Sequence, residues 1–156
     1  MIVALKVKRI EMGTVLDHLP PGTAPQIMRI LDIDPTETTL LVAINVESSK
    51  MGRKDILKIE GKILSEEEAN KVALVAPNAT VNIVRDYSVA EKFQVKPPER
   101  VEGFLRCPNP NCITNDEREP VDTVFVRESK KPLEYRCRYC ERTVREDQIR
   151  ELIRPS

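Results

Sequence analysis

The sequence has no tryptophan, and only three phenylalanines and three tyrosines among its 156 residues. Any interior must be filled by aliphatic side chains, which a hydrophobic content of 40% makes possible. An excess of charge of one sign is missing too: 25 basic residues face 25 acidic ones. The balance holds locally, with 12 Lys and Arg against 11 Asp and Glu from Arg100 onward. A nucleic-acid binder normally shows a basic excess on at least one domain, and neither half does. No stretch approaches the roughly 20 apolar residues of a membrane span. Residues 1–10 alternate too much for a signal peptide, so a reducing, cytoplasmic setting is expected. Glycine-rich phosphate loops (GxxxxGKS/T, GxGxxG) are absent, and so is the G-x-S-x-G of a nucleophile elbow.

What the sequence does have is a compact set of cysteines. Cys107 and Cys112, then Cys137 and Cys140, are its whole inventory, spaced C-x4-C, x24, C-x2-C. Two short-spaced pairs separated by a strand-rich loop suit a tetrahedral four-thiolate zinc site. Iron and disulfides are the other readings of the same spacing. Four sulfurs fill the coordination sphere, so the site is structural and not catalytic.

Residues 2–10 read as a strand, and 13–22 as an extended piece ending in a Pro-Pro-Gly break. Thr23 and Gln26 form a capping-box pattern opening a helix whose apolar face is Ile27, Ile30 and Leu31. Residues 39–46 form a strand with Leu40, Val42, Ile44 and Val46 on one side. In the strand 53–60, Asp55, Leu57 and Ile59 share one face and Lys54, Ile56 and Lys58 the other. Ser65 and Glu68 cap a second helix that ends at Pro77, and strands at 80–85 and 87–95 follow. The order β-α-β-β-α-β, with one extra strand, predicts an α+β, ferredoxin-like antiparallel sheet carrying two helices on one face. Lys96-Pro97-Pro98-Glu99 reads as a stiff linker, dividing the chain into domains at 1–99 and 100–156. The second is expected to be a small, zinc-bound, β-rich domain, with strands at 121–127 and 133–138 and a closing helix at 146–153.

Candidate chemistry is sparse. His18, the only histidine, follows Asp17, but no nucleophile is signalled beside this dyad. In a polar turn it reads as a surface residue, or as a donor to an anion or carbonyl. Lys54 and Lys58 point to one side of a strand, suiting either phosphate binding or a solvated outer face. Asn82 and Tyr87 are candidates for base and ribose contacts, and Lys92 for a third positive group.

Several stretches carry a more specific resemblance. Gly13-Thr14-Val15-Leu16-Asp17-His18, residues 51–60, Ala76-Pro77-Asn78-Ala79-Thr80-Val81-Asn82 and Cys107-Pro108-Asn109-Pro110-Asn111-Cys112 resemble the regulatory chain of aspartate carbamoyltransferase. Pro98-Glu99-Arg100 and Cys137-Arg138-Tyr139-Cys140-Glu141 fit as well, and the likeness runs from about residue 2 to 150. The resemblance implies a non-catalytic subunit of pyrimidine biosynthesis. Its N-terminal domain would bind CTP or ATP, and its zinc domain would dock on a catalytic chain. It also implies a dimer of regulatory chains within the larger complex. Carried over by position, Asp17, Lys58 and Lys92 would meet triphosphate and ribose, with His18 and Lys54 near the phosphates. Val7, Ile10, Asn82, Val84, Tyr87 and Val89 would border base and sugar. Lys8-Arg9 stand where the family leads one to expect an acidic and a small residue.

Two other functions remain to be weighed. A zinc-ribbon nucleic-acid binder would bind DNA or RNA with strong salt dependence, which the charge balance argues against. An enzyme built on Asp17-His18 would turn over substrate as the isolated chain and lose that activity in His18→Ala.

Overall fold

The computed structural model describes residues 9–154, which form two compact units, one ending at Val95 and the other beginning at Lys96. The first unit holds strands β1 (Gly13–Leu19), β2 (Leu40–Ser48), β3 (Gly52–Glu60), β4 (Thr80–Arg85) and β5 (Ser88–Gln94). Helices α1 (Ala24–Ile30) and α2 (Glu66–Val72) complete it. The sheet order is β2-β3-β1-β4-β5, with every neighbouring pair antiparallel. This is the ferredoxin-like arrangement, extended at one edge by a hairpin strand.

The alternation predicted for β3 is observed. Asp55, Leu57 and Ile59 are buried on the helix side, whereas Lys54, Ile56 and Lys58 are half-buried on the open side. Leu16 and Val81 on the neighbouring strands, with Ile27 of α1 and Val72 of α2, complete an aliphatic core. Helix α2 begins in the expected capping box: Ser65 Oγ accepts from the Glu68 amide, and the Glu68 carboxylate accepts from the Ser65 amide.

Several expectations differ from the structure, and one falls mostly outside the described residues. The strand read at 2–10 lies mostly outside the described residues, and Arg9 and Ile10 are not in a strand. The first described strand instead starts at Gly13, in the stretch read as merely extended. Gly13 has φ +154°, and a Cβ there would run into the carbonyl oxygen of Ile59 on β3. Thr23 does not cap α1 with its side chain; its hydroxyl donates to the Pro20 carbonyl, at 2.6 Å. The buried Asp55 carboxylate takes that role, accepting from the Ala24 amide at 3.0 Å.

On β2 the predicted single face is broken by a bulge. Ala43 pairs with Ile56 but Val46 with Lys54, so one extra residue turns Val46 onto the open side. Asn45 sits in that bulge at φ +57°. Finally, Tyr87 belongs to the turn before β5, with Asp86 and Tyr87 both at positive φ, as a tight hairpin of this hand requires.

The second unit is a four-stranded antiparallel sheet in the order β6 (Arg100–Glu102), β7 (Val124–Lys130), β8 (Leu133–Cys137), β9 (Thr143–Arg145). Helix α3 (Glu146–Leu152) closes it, as expected, while β7 starts later and runs further than the 121–127 read from sequence. Phe125, Leu133, Tyr135 and Ile149 are fully buried and form a small core. The Pro97 and Pro98 carbonyls accept from Arg127 Nη1 and the Tyr135 hydroxyl, so the proline pair is anchored to this unit.

Candidate functional site

Two sites stand out, one in each unit. On the open face of the first sheet, strand register places Lys58 opposite Val15, Val15 opposite Asn82, and Asn82 opposite Lys92. This row crosses four strands and leads into an open groove of about 540 Å³. Ile10, Lys58, Asn82, Val84, Tyr87 and Val89, all candidates from the sequence, line that groove. Arg9, Val15 and Ser88 also line it and were not singled out. Lys92 is exposed and is not part of the lining, and Val7 lies outside the described residues.

Tyr87 and Val89 are 54% and 57% exposed and present apolar surface on the wall of the groove. Tyr87 is held at φ +65°, a conformation that a bulky residue rarely adopts, and its amide donates to the Glu11 carbonyl at 3.0 Å. Burial, and then the Arg9 guanidinium, lower the pKa of Lys58. None of the described lining residues is acidic, so the groove favours an anion.

One step along the sheet, Asp17 and Lys54 form an ion pair at 2.9 Å. Partial burial disfavours the Asp17 charge, but the Lys54 ammonium and the His18 amide outweigh it and hold the pKa below the usual carboxylate value. Asp17 therefore orients Lys54. His18 is not in a polar turn: it sits half-buried in a bulge of β1, at φ +59°, with Nδ1 2.9 Å from the Thr80 hydroxyl. Asp55 on β3 is the residue that sequence reasoning missed most clearly. Its two oxygens accept from Ala24 of α1 and from Asn45 in the β2 bulge, the latter at 2.8 Å. Arg53 braces the same bulge through the Asn45 side-chain and backbone oxygens.

In the second unit the Sγ atoms of Cys107, Cys112, Cys137 and Cys140 all lie within 4.8 Å of one another. Cys107 and Cys140 are 3.5 Å apart and Cys112 and Cys137 are 3.8 Å apart, too far for disulfides. A tetrahedral zinc–thiolate centre with Zn–S bonds of about 2.3 Å has sulfur–sulfur edges of about 3.8 Å, close to the Cys107–Cys140 and Cys112–Cys137 separations. Burial pushes the Cys107 and Cys137 thiols up. Burial also opposes ionisation of Cys140, but hydrogen bonds from the Arg142 amide, Asn109 and the neighbouring thiols bring it down to about 7. The cluster is thus one that a dication would complete.

Thr114 Oγ1 donates to Cys112 Sγ at 3.1 Å. Asn115 Nδ2 donates to the carbonyls of Cys107 and Asn109, at 2.9 and 2.7 Å, and fixes the first cysteine loop. Neither residue was legible as a support from spacing alone.

Family comparison resolves what these two sites belong to. Residues 5–96 match the family described as aspartate carbamoyltransferase regulatory chain, allosteric domain, and residues 99–150 match the metal binding domain of the same chain. The chain belongs to the aspartate carbamoyltransferase regulatory chain family. The regulatory chain of Pyrococcus abyssi is 56% identical over 147 residues, covering 93% of this chain and 95% of that protein. The one from Thermococcus kodakarensis is 54% identical over 146 residues, with the same coverage, and that of Thermofilum pendens is 51% identical over 146. In this regulatory chain the allosteric-domain match contains the groove, and the metal-binding match contains all four cysteines. Among the described residues no helix is long and apolar enough to cross a membrane.

Proposed function

We propose that this chain is the non-catalytic regulatory subunit of a cytoplasmic aspartate carbamoyltransferase complex. In this reading CTP and ATP bind in the groove of the first unit, and a structural zinc holds the second unit in a form that docks on the catalytic chain. The observation that carries the nucleotide assignment is the cross-strand row from Lys58 through Val15 to Asn82, flanked by the Lys54–Asp17 pair. Lys58 and Lys54 supply positive charge for a triphosphate, and Asp17 holds Lys54 in place. Tyr87 and Val89 offer an apolar shelf for the base, and Asn82, near the Val15 carbonyl, a polar edge. His18 and Lys92 contribute from the phosphate side.

Docking would use the loop between Cys107 and Cys112, whose shape depends on the metal, together with the exposed Ile113 and Tyr139. A second regulatory chain would pair along β2, an edge strand with Val42 and Ile44 exposed. Signalling is then linkage: a nucleotide that binds one quaternary state better shifts the catalytic chains toward it by that difference in affinity.

Lys58→Ala tests the groove directly. Calorimetric titration should show CTP and ATP binding weakened by about tenfold or more, the scale of a lost charge-assisted contact. Zinc content should stay at wild-type level. Equal nucleotide affinity in the two proteins would place the site elsewhere.

A further inference from the structure

The first cysteine loop runs straight into a single 3-10 turn, Ile113–Asn115, whose side chains do different things. Ile113 is exposed, and Asn115 ties down the carbonyls of Cys107 and Asn109. Thr114 is buried and donates its hydroxyl to Cys112 Sγ at 3.1 Å. Cys112 is buried as well, so the chain itself must supply what water would otherwise give this sulfur.

Charge makes such a bond matter. Four thiolates around one dication carry two net negative charges, and a buried anion is costly unless donors surround it. Backbone amides meet part of that need: Asn109 at Cys107, Tyr139 and Cys140 at Cys137, and Arg142 at Cys140. Any non-proline residue offers an amide at those positions. Two side chains add donors that depend on residue type, Asn109 at Cys140 and Thr114 at Cys112. Asn109 also braces the loop, its Oδ1 accepting from the Asn111 amide, so a change there alters loop and metal together. Valine has nearly the shape of threonine and lacks only the donor, so position 114 isolates the hydroxyl.

We propose that Thr114 is a positioning residue for the metal. Its hydroxyl fixes the Cys112 thiolate and offsets its charge, and so sets how tightly the four-sulfur centre holds zinc. The inference rests on the reading of zinc as the metal and adds no ligand to the four cysteines.

The test compares full-length, zinc-loaded wild type, Thr114→Val and Thr114→Ser. Zinc is competed away with a chromophoric chelator at fixed pH. Thr114→Val should hold zinc about tenfold more weakly, the lower end of the range for lost outer partners of metal ligands. Thr114→Ser keeps the donor and should stay close to wild type. Metal binding and folding are linked in so small a unit, so poorer packing alone would also lower the apparent affinity. Cobalt-substituted proteins separate the two effects. A thiolate relieved of a hydrogen bond gives up charge to the metal more easily. The sulfur-to-cobalt charge-transfer absorption should therefore move to longer wavelength in Thr114→Val and stay in place in Thr114→Ser. Unchanged or tighter zinc binding in Thr114→Val would overturn the proposal, as would a Thr114→Ser protein as weak as Thr114→Val. Weaker binding with an unmoved absorption would overturn it too, by making Thr114 a packing residue. Wild type that binds neither zinc nor cobalt would overturn the metal reading itself, and this inference with it.

Discussion

Stripping the metal from the four-cysteine centre, by chelation or by Cys137→Ser, should unfold the unit beyond Lys96 and leave the first unit folded. The core around Phe125, Leu133, Tyr135 and Ile149 belongs to a unit of only ~60 residues, a size at which apolar burial alone gives marginal stability. Structural zinc contributes about 10–16 kcal/mol in comparable small modules, as much as a whole domain's typical stability. Removing one ligand also leaves buried thiols whose ionisation nothing offsets. Limited proteolysis with mass spectrometry should find cleavage spread through 100–154 and a protected fragment ending near Val95. The same sample should still bind nucleotide, but it should no longer assemble with a catalytic chain. A metal-free second unit that stays protected would show that zinc is dispensable to its fold.

Asp55→Ala should be the most damaging single change in the first unit. The carboxylate is fully buried and accepts from two backbone amides on separate elements, Ala24 at the start of α1 and Asn45 in the β2 bulge. Each orphaned buried donor costs about 1–3 kcal/mol, so the loss should reach about 2–4 kcal/mol, allowing for the more exposed Asn45 side. The urea midpoint of the first unit's transition should fall accordingly, with an unchanged slope. Because Lys54 and Arg53 flank Asp55, nucleotide affinity should weaken as well, as the bulges that aim the site relax. A midpoint within error of wild type would mean that water replaces the carboxylate at both amides.

Much of this was legible in the sequence, and the reasons for the rest are specific. Repeating patterns were readable: the period of two in β3 separated Lys54 and Lys58 from Leu57 and Ile59, and the cysteine spacing located a site that the sulfur distances support. The Ser65–Glu68 box was readable because its partners are three residues apart. Long-range substitutions for local signals were not. Thr23 had the residue type of a cap, but Asp55, 31 residues from Ala24, does the capping. Bulges at His18 and Asn45 also escaped, because neither position is a glycine, and Asn45 is held by Asp55 and Arg53, distant in sequence. The strand at Gly13–Leu19 was missed because Gly, Asp and His are poor strand formers, and pairing on both sides overrides that preference.

The groove residues were reached through family resemblance more than through pattern. Asn82, Tyr87 and Val89 are ordinary strand-region residues until register brings them beside Lys58. Arg9 was visible only as a departure from the family's expected residues, and its bond to the Tyr87 carbonyl had no signal in the sequence.

The central claim is that this chain carries no chemistry and transmits a nucleotide signal to catalytic chains. Aspartate saturation curves of a complex reassembled from this chain and its catalytic partner, with and without saturating nucleotide, test it most directly. The account predicts a several-fold shift in half-saturating aspartate, the usual scale of coupling between sites, which disappears when Lys58→Ala replaces the wild-type chain. Superimposable curves with and without nucleotide, in a complex verified to contain this chain, would contradict it.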